Sequence, residues 1–117
     1  MSQSAIMGYP RVGSQRELKF WTEDYFRERI SAKTLRRNVA GLRKKQWLIQ
    51  KQNGIDFIPS NDFSFYDGVL DTACLLNAVP QAYRALDLGE LDTYFAMARG
   101  YQGEAGDVKA LAMRKWF

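Results

Sequence analysis

Arg11, Arg16, Glu17 and Lys19 crowd into nine positions of the stretch YPRVGSQRELK, just after a turn marked by Pro10 and Gly13. Side chains of these types hold anions: a guanidinium binds a carboxylate or phosphate bidentately, and an ammonium adds point charge beside it. If a helix opens here, Arg16 and Lys19 lie one turn apart on one face. Cations in a first helical turn oppose the macrodipole, so stability alone does not ask for them there. A ligand carboxylate or phosphate at the helix N-terminus would resolve the conflict. Ordinary solvated charges, with Glu17 as a partial neutraliser, account for the same residues without a ligand. A second polar group, SNDF at Ser60–Phe63, offers Asn61 and Asp62 to a ligand, or uses Asp62 or Ser64 as a helix N-cap. Lys115, in RKWF, either supplies one more cation or sits on the wet side of a last helix.

Two absences narrow the chemistry. The chain has no histidine and a single cysteine, Cys74. That removes Ser-His and Cys-His nucleophile pairs and leaves no usual set of zinc ligands. No catalytic residue and no metal ligand is therefore assigned, and no cofactor is expected on this chain. A net charge of +4 leans toward an anionic partner. The RRN and RKK clusters at Arg36–Asn38 and Arg43–Lys45 spread around a helix opposite its apolar stripe, as a solvated face does, so nucleic acid is not expected. No run of eighteen apolar residues spans a membrane, and MSQSAIMGYP lacks the basic and apolar regions of a signal peptide. The apolar setting of Cys74 suggests a reducing compartment, and the cytoplasm is the expected location.

The elements that position these residues read as α/β. With 117 residues, 46% apolar and 26% charged, the chain suits one globular domain. Ser4–Tyr9 (SAIMGY) and Ile55–Pro59 (IDFIP) read as short buried strands, each feeding a polar loop. A helical pattern runs from about Gln15 through Leu18, Trp21, Tyr25 and Phe26. Ser31 then N-caps the clearest helix, from Ala32 to Asn53, with Leu35, Val39, Leu42 and Ile49 as its stripe, Gln46 interrupting it, and Gly54 at the C-terminal cap. Phe65–Asn77, Leu91–Arg99 (ended by Gly100) and a stretch from about Asp107 to Phe117 read as further helices, with loops around Pro80 and through Gly106. Two strands do not make a sheet, and a chain closing on Trp116-Phe117 is expected to be a piece of a larger α/β protein.

In their order and intervals, MGYPRVGSQRELK, KQNGIDFIPSNDFSFYDGVLD, DTYFAMARG and MRKWF resemble the N-terminus of the cobalamin-independent methionine synthase family, from about Ile6 to Phe117. The resemblance implies the first part of a (βα)8 TIM barrel, about two strands plus several helices, with residues 1–117 forming a partial N-terminal domain. It implies an enzyme that moves the methyl group of 5-methyltetrahydropteroyltriglutamate to homocysteine, with zinc in a C-terminal domain absent from this chain. It further implies that Arg16, Glu17, Leu18, Lys19 and Lys115 contact the folate, and that this portion alone is inactive. A barrel of about 250 residues is not complete here, so an open edge and self-association are expected. The alternative is a stand-alone basic helical module that binds a polyanion or a protein partner.

Overall fold

Three prolines, Pro10, Pro59 and Pro80, fall between the regular elements of the chain. The computed structural model describes residues 2–111 and divides between Phe65 and Tyr66 into two compact units.

The first unit is built on two helices. Helix α1 (Glu17–Phe26) packs on α2 (Ala32–Gln52). Ser31 caps α2 as expected: its hydroxyl accepts from the Thr34 amide at 3.1 Å, satisfying one of the orphan donors of the first turn. At the other end Asn53 is the C-cap and Gly54 follows with φ +79°, the left-handed residue that ends a helix cheaply when it is glycine. Leu18, Leu35, Val39 and Leu42 are buried. The stripe then turns by one position: Gln46 and Gln50 are buried where the pattern predicts an apolar continuation through Ile49, and Ile49 is half-buried.

The two expected strands meet, but through a single parallel bridge, Ala5 to Phe57, rather than a ladder. Side chains displace the ladder. The Ser4 amide donates to the Asp56 carboxylate at 2.7 Å, and the Ser4 hydroxyl accepts from the Asp56 amide at 3.0 Å. The Ser4 carbonyl makes strand-like bonds, accepting from the Asp56 and Phe57 amides.

The second unit departs further from the sequence reading. Helix α3 spans Gly68–Leu75, not Phe65–Asn77, because Asp67 is its N-cap and accepts from the Leu70 amide at 3.1 Å. Neither Asp62 nor Ser64 caps it. A one-turn helix α4 (Gln81–Arg84) occupies the expected loop after Pro80. Helix α5 (Glu90–Arg99) ends at Gly100 as expected and buries Leu91, Tyr94, Phe95, Ala96 and Met97. No helix starts near Asp107. Instead β1 (Tyr101–Gly103) and β2 (Gly106–Val108) form an antiparallel hairpin, with Tyr101 opposite Val108 and Gly103 opposite Gly106. Gly106 has φ +136°, which an L side chain rarely adopts. After the hairpin, the Lys109 carbonyl accepts from the Tyr83 hydroxyl and the Leu111 amide donates to the Met97 carbonyl, so these groups are taken by tertiary bonds. The rest of the expected last helix lies outside the described residues. The described residues are therefore helix-rich with one two-stranded antiparallel sheet.

Replacing Ser31 by alanine removes the cap of the longest helix and is expected to lower stability by about 1 kcal/mol. Urea denaturation followed by far-ultraviolet circular dichroism, comparing midpoints at equal slope, measures it.

Candidate functional site

The basic turn is held by three consecutive residues. The Tyr9 amide donates to the Asp62 carboxylate at 2.8 Å, the Pro10 carbonyl accepts from the Gln46 side-chain amide at 3.1 Å, and the Arg11 guanidinium donates to the Ser64 and Phe65 carbonyls at 3.2 and 2.8 Å. These bonds join parts of the chain 36 to 54 residues apart. They bring together the two polar loops that follow the bridged segments. Asp62 neither caps a helix nor remains wholly free for a ligand, since its carboxylate seats the first loop. Asn61 is exposed.

Helix α2 supplies most of the grip. Besides Gln46, its Trp47 donates from the indole N–H to the Pro59 carbonyl at 3.1 Å, and Arg43 donates to the Ser60 carbonyl at 3.3 Å. The Arg43 guanidinium lies 5.2 Å from the Trp47 ring centre and 5.4 Å from that of Phe63, within cation–π range of both. Arg43 thus belongs to the packing of the second loop, not to the solvated basic face that its sequence position suggests. Gln46 is visible in the sequence as a break in the apolar stripe. Its partner, a carbonyl 36 residues earlier, is not.

Beyond Arg11 the turn closes on itself. The Arg16 amide donates to the Gly13 carbonyl at 3.1 Å and the Leu18 amide to the Val12 carbonyl at 3.0 Å. Glu17 bends back so that its carboxylate accepts from the Gln15 amide at 2.9 Å. Its other oxygen is buried without a hydrogen-bond partner among the described residues, against Gly13. Arg16 is the N-cap of α1 and is left-handed, with φ 58° and ψ 34°. For a residue other than glycine that conformation costs roughly 1–2 kcal/mol.

The residues singled out from sequence therefore divide. Arg16 is exposed, and its guanidinium has no ion pair among the described residues. Lys19 is exposed, 3.9 Å from Glu23 and 5.5 Å from the Phe20 ring centre. An exposed pair this long is weak and leaves the ammonium open to exchange with a ligand. Leu18 is 2% exposed and belongs to the core, so a ligand would meet only its backbone. Lys115 lies outside the described residues.

Zinc has no fit in what is described. The chain has no histidine, and among the described residues no three Cys, Asp or Glu side chains cluster to hold a metal ion. Cys74 is held toward the neutral thiol, chiefly by burial and then by the negative Asp71 and Glu90, whereas the thiolate is the ligating form. No helix among the described residues is long and apolar enough to cross a membrane.

A strained basic turn, seated by one helix on two loops that follow parallel-bridged segments, is compatible with part of an α/β protein, and its exposed cations suit an anion. The family model for the N-terminal domain of the cobalamin-independent synthase matches residues 3–117, and the chain belongs to that family. Proteins named 5-methyltetrahydropteroyltriglutamate–homocysteine methyltransferase are similar over 114 residues, 97% of this chain: 59% identical in Streptococcus gordonii, and 58% in Streptococcus sanguinis and Streptococcus thermophilus. The chain spans 15% of the length of each of these relatives.

A Cβ on Gly13, where φ is +92°, would overlap the Glu17 carboxylate and lie 3.4 Å from Leu42. Gly13→Ala is expected to cost about 1–3 kcal/mol in urea denaturation. Because its ionisation is shifted upward, Cys74 should react with iodoacetamide at pH 8 several-fold more slowly in the folded chain than in urea, as mass spectrometry would record.

Proposed function

We propose that this chain is the part of a cobalamin-independent methionine synthase that holds the glutamate tail of 5-methyltetrahydropteroyltriglutamate while its methyl group passes to homocysteine. The observation that carries the reading is Arg16. Glycine would occupy a left-handed N-cap at lower cost, yet an arginine stands there, with its head in solvent and Lys19 one turn along. A strained residue is retained when its side chain has a use that the backbone cost does not outweigh.

The chemistry suits the ligand named in the relatives. A triglutamate tail carries several carboxylates at neutral pH. Arg16 takes one bidentately, Lys19 exchanges Glu23 for a second, and Lys115 supplies a further cation. Glu17 and Leu18 serve the same contact indirectly, Glu17 by closing the turn against Gly13 and Leu18 by anchoring α1 in the core. These groups position the methyl donor and do not activate the acceptor thiol. That step belongs to residues outside this chain, which alone is inactive.

The Ala5–Phe57 bridge supports reading the two bridged segments as the first strands of a (βα)8 barrel, each followed by a loop on the ligand side. Met7 and Phe57, exposed beside the bridge, are then faces that neighbouring elements cover.

Calorimetric titration with 5-methyltetrahydropteroyltriglutamate tests the reading. The wild-type chain is expected to bind, with affinity falling as salt rises. The Arg16→Ala/Lys19→Ala variant should bind at least roughly tenfold more weakly, as loss of two charge-assisted contacts requires. Wild-type and variant affinities that agree would remove the basic turn from the site.

A further inference from the structure

Gln46 occupies a position that an apolar residue would fill at no cost to the helix. It is 7% exposed, it follows Leu35, Val39 and Leu42 along the buried side of α2, and its amide reaches out to the Pro10 carbonyl at 3.1 Å. Burying an amide in place of a hydrophobe brings little net stability here: satisfied, it roughly breaks even, and an apolar group of similar shape does as well because Pro10 is exposed and water can take over its carbonyl. Its effect is geometric. Pro10 lies between Tyr9, held by Asp62, and Arg11, which holds Ser64 and Phe65, so three neighbouring residues are fixed by three separate long-range contacts. Gly8 lies beside the Asp62 side chain as well, where an added Cβ would stand in ordinary contact, 3.5 Å from its carboxylate. Downstream, only Val12 separates this seat from Gly13, whose carbonyl closes the turn on the Arg16 amide.

We propose that Gln46, with Asp62 as its partner tether, is a positioning residue for the anion-binding turn: the two fix Tyr9 and Pro10 so that left-handed Arg16 presents its guanidinium to the glutamate carboxylates. This rests on the reading of Arg16 and Lys19 as ligand contacts. Neither Gln46 nor Asp62 touches the ligand. Their tethers hold the strained turn in its ligand-ready form, so that its ordering does not have to be supplied by binding.

Gln46→Met separates positioning from structure. Methionine is of similar length, favours helix, and completes the apolar stripe, so a residue kept only for stability would show an unchanged or higher denaturation midpoint and nothing else. The positioning role predicts that unchanged midpoint together with faster amide hydrogen exchange at Arg16 and Leu18, while α2 and the second unit keep wild-type rates. It also predicts a dissociation constant for 5-methyltetrahydropteroyltriglutamate raised about tenfold at unchanged stoichiometry. Asp62→Ala is expected to act in the same direction, and Asp62→Asn, which keeps an acceptor for the Tyr9 amide, to restore most of the loss. Wild-type binding with Gln46→Met and Asp62→Ala both indistinguishable from it, in affinity and in exchange, overturns the tether and leaves the basic turn as the site. No binding by the wild-type chain, with the exchange response intact, overturns the ligand reading and with it the role of Gln46 in binding.

Discussion

Side-chain donors on one helix and backbone carbonyls on two loops satisfy one another, and the first unit depends on that exchange. Arg43, Gln46 and Trp47 stand within five positions of α2, and each donates to a loop carbonyl: Ser60, Pro10 and Pro59. Two of the acceptors belong to prolines, which have no N–H and cannot pair in a ladder from both sides. Loops of this kind have to find partners beyond the backbone, and polar groups on a partly buried helix face have the matching need. The exchange fixes where both loops run, and so where the basic turn begins.

The Asp56–Ser4 contacts show the same economy at the bridged segments. A carboxylate and a hydroxyl replace the ladder bonds that a longer pair of strands would make, leaving one parallel bridge. Tyr94 plays the equivalent part in the second unit. Its hydroxyl accepts from the Tyr66 and Asp67 amides ahead of α3 and donates to the Asp71 carboxylate at 2.6 Å. Burial, together with that acceptor, pushes its ionisation well above the ordinary tyrosine range. In each case a polar side chain stands in for regular backbone pairing at the end of a short element.

What is legible in the sequence is local. Ser31, Gly54 and Gly100 can be read as caps because a cap needs only neighbours within a few residues; Ser31 and Gly100 hold those places, and Gly54 stands one residue past the Asn53 cap in the left-handed conformation. The stripe of α2 is legible as far as Leu42. The hairpin at Tyr101–Val108 is not, because its strands have three residues each and carry no alternation long enough to outweigh a glycine-bearing loop. Asp67 as the N-cap of α3 is within reach of pattern, since it directly precedes Gly68 at the start of the helix, but Asp62 and Ser64 offer the same chemistry a few residues earlier and compete with it. The tethers of Gln46 and Asp62 lie beyond sequence pattern altogether. A hydrogen bond between residues 36 or 53 positions apart leaves no periodic trace, only an oddity, such as a glutamine where the stripe calls for a leucine.

That oddity bears on how the turn is strained. Arg16 sits at φ 58°, Glu28 at φ 59°, and both flank the same helix, α1. Glu28 closes the helix end, where its amide reaches the Tyr25 carbonyl, and a left-handed residue there is ordinary C-terminal geometry. Arg16 is at the start, where an extended residue with a capping side chain is the usual arrangement and none is present. Glu17 does not replace that cap: its carboxylate accepts from the Gln15 amide, which precedes the helix, and its second oxygen is buried without a partner among the described residues. A turn without that cap and with a strained N-cap residue keeps its shape only if the chain entering it is fixed from outside. Asp62, Gln46 and Arg11 do this over three successive residues, which is why the packing of α2 and the exposure of one guanidinium are parts of a single constraint.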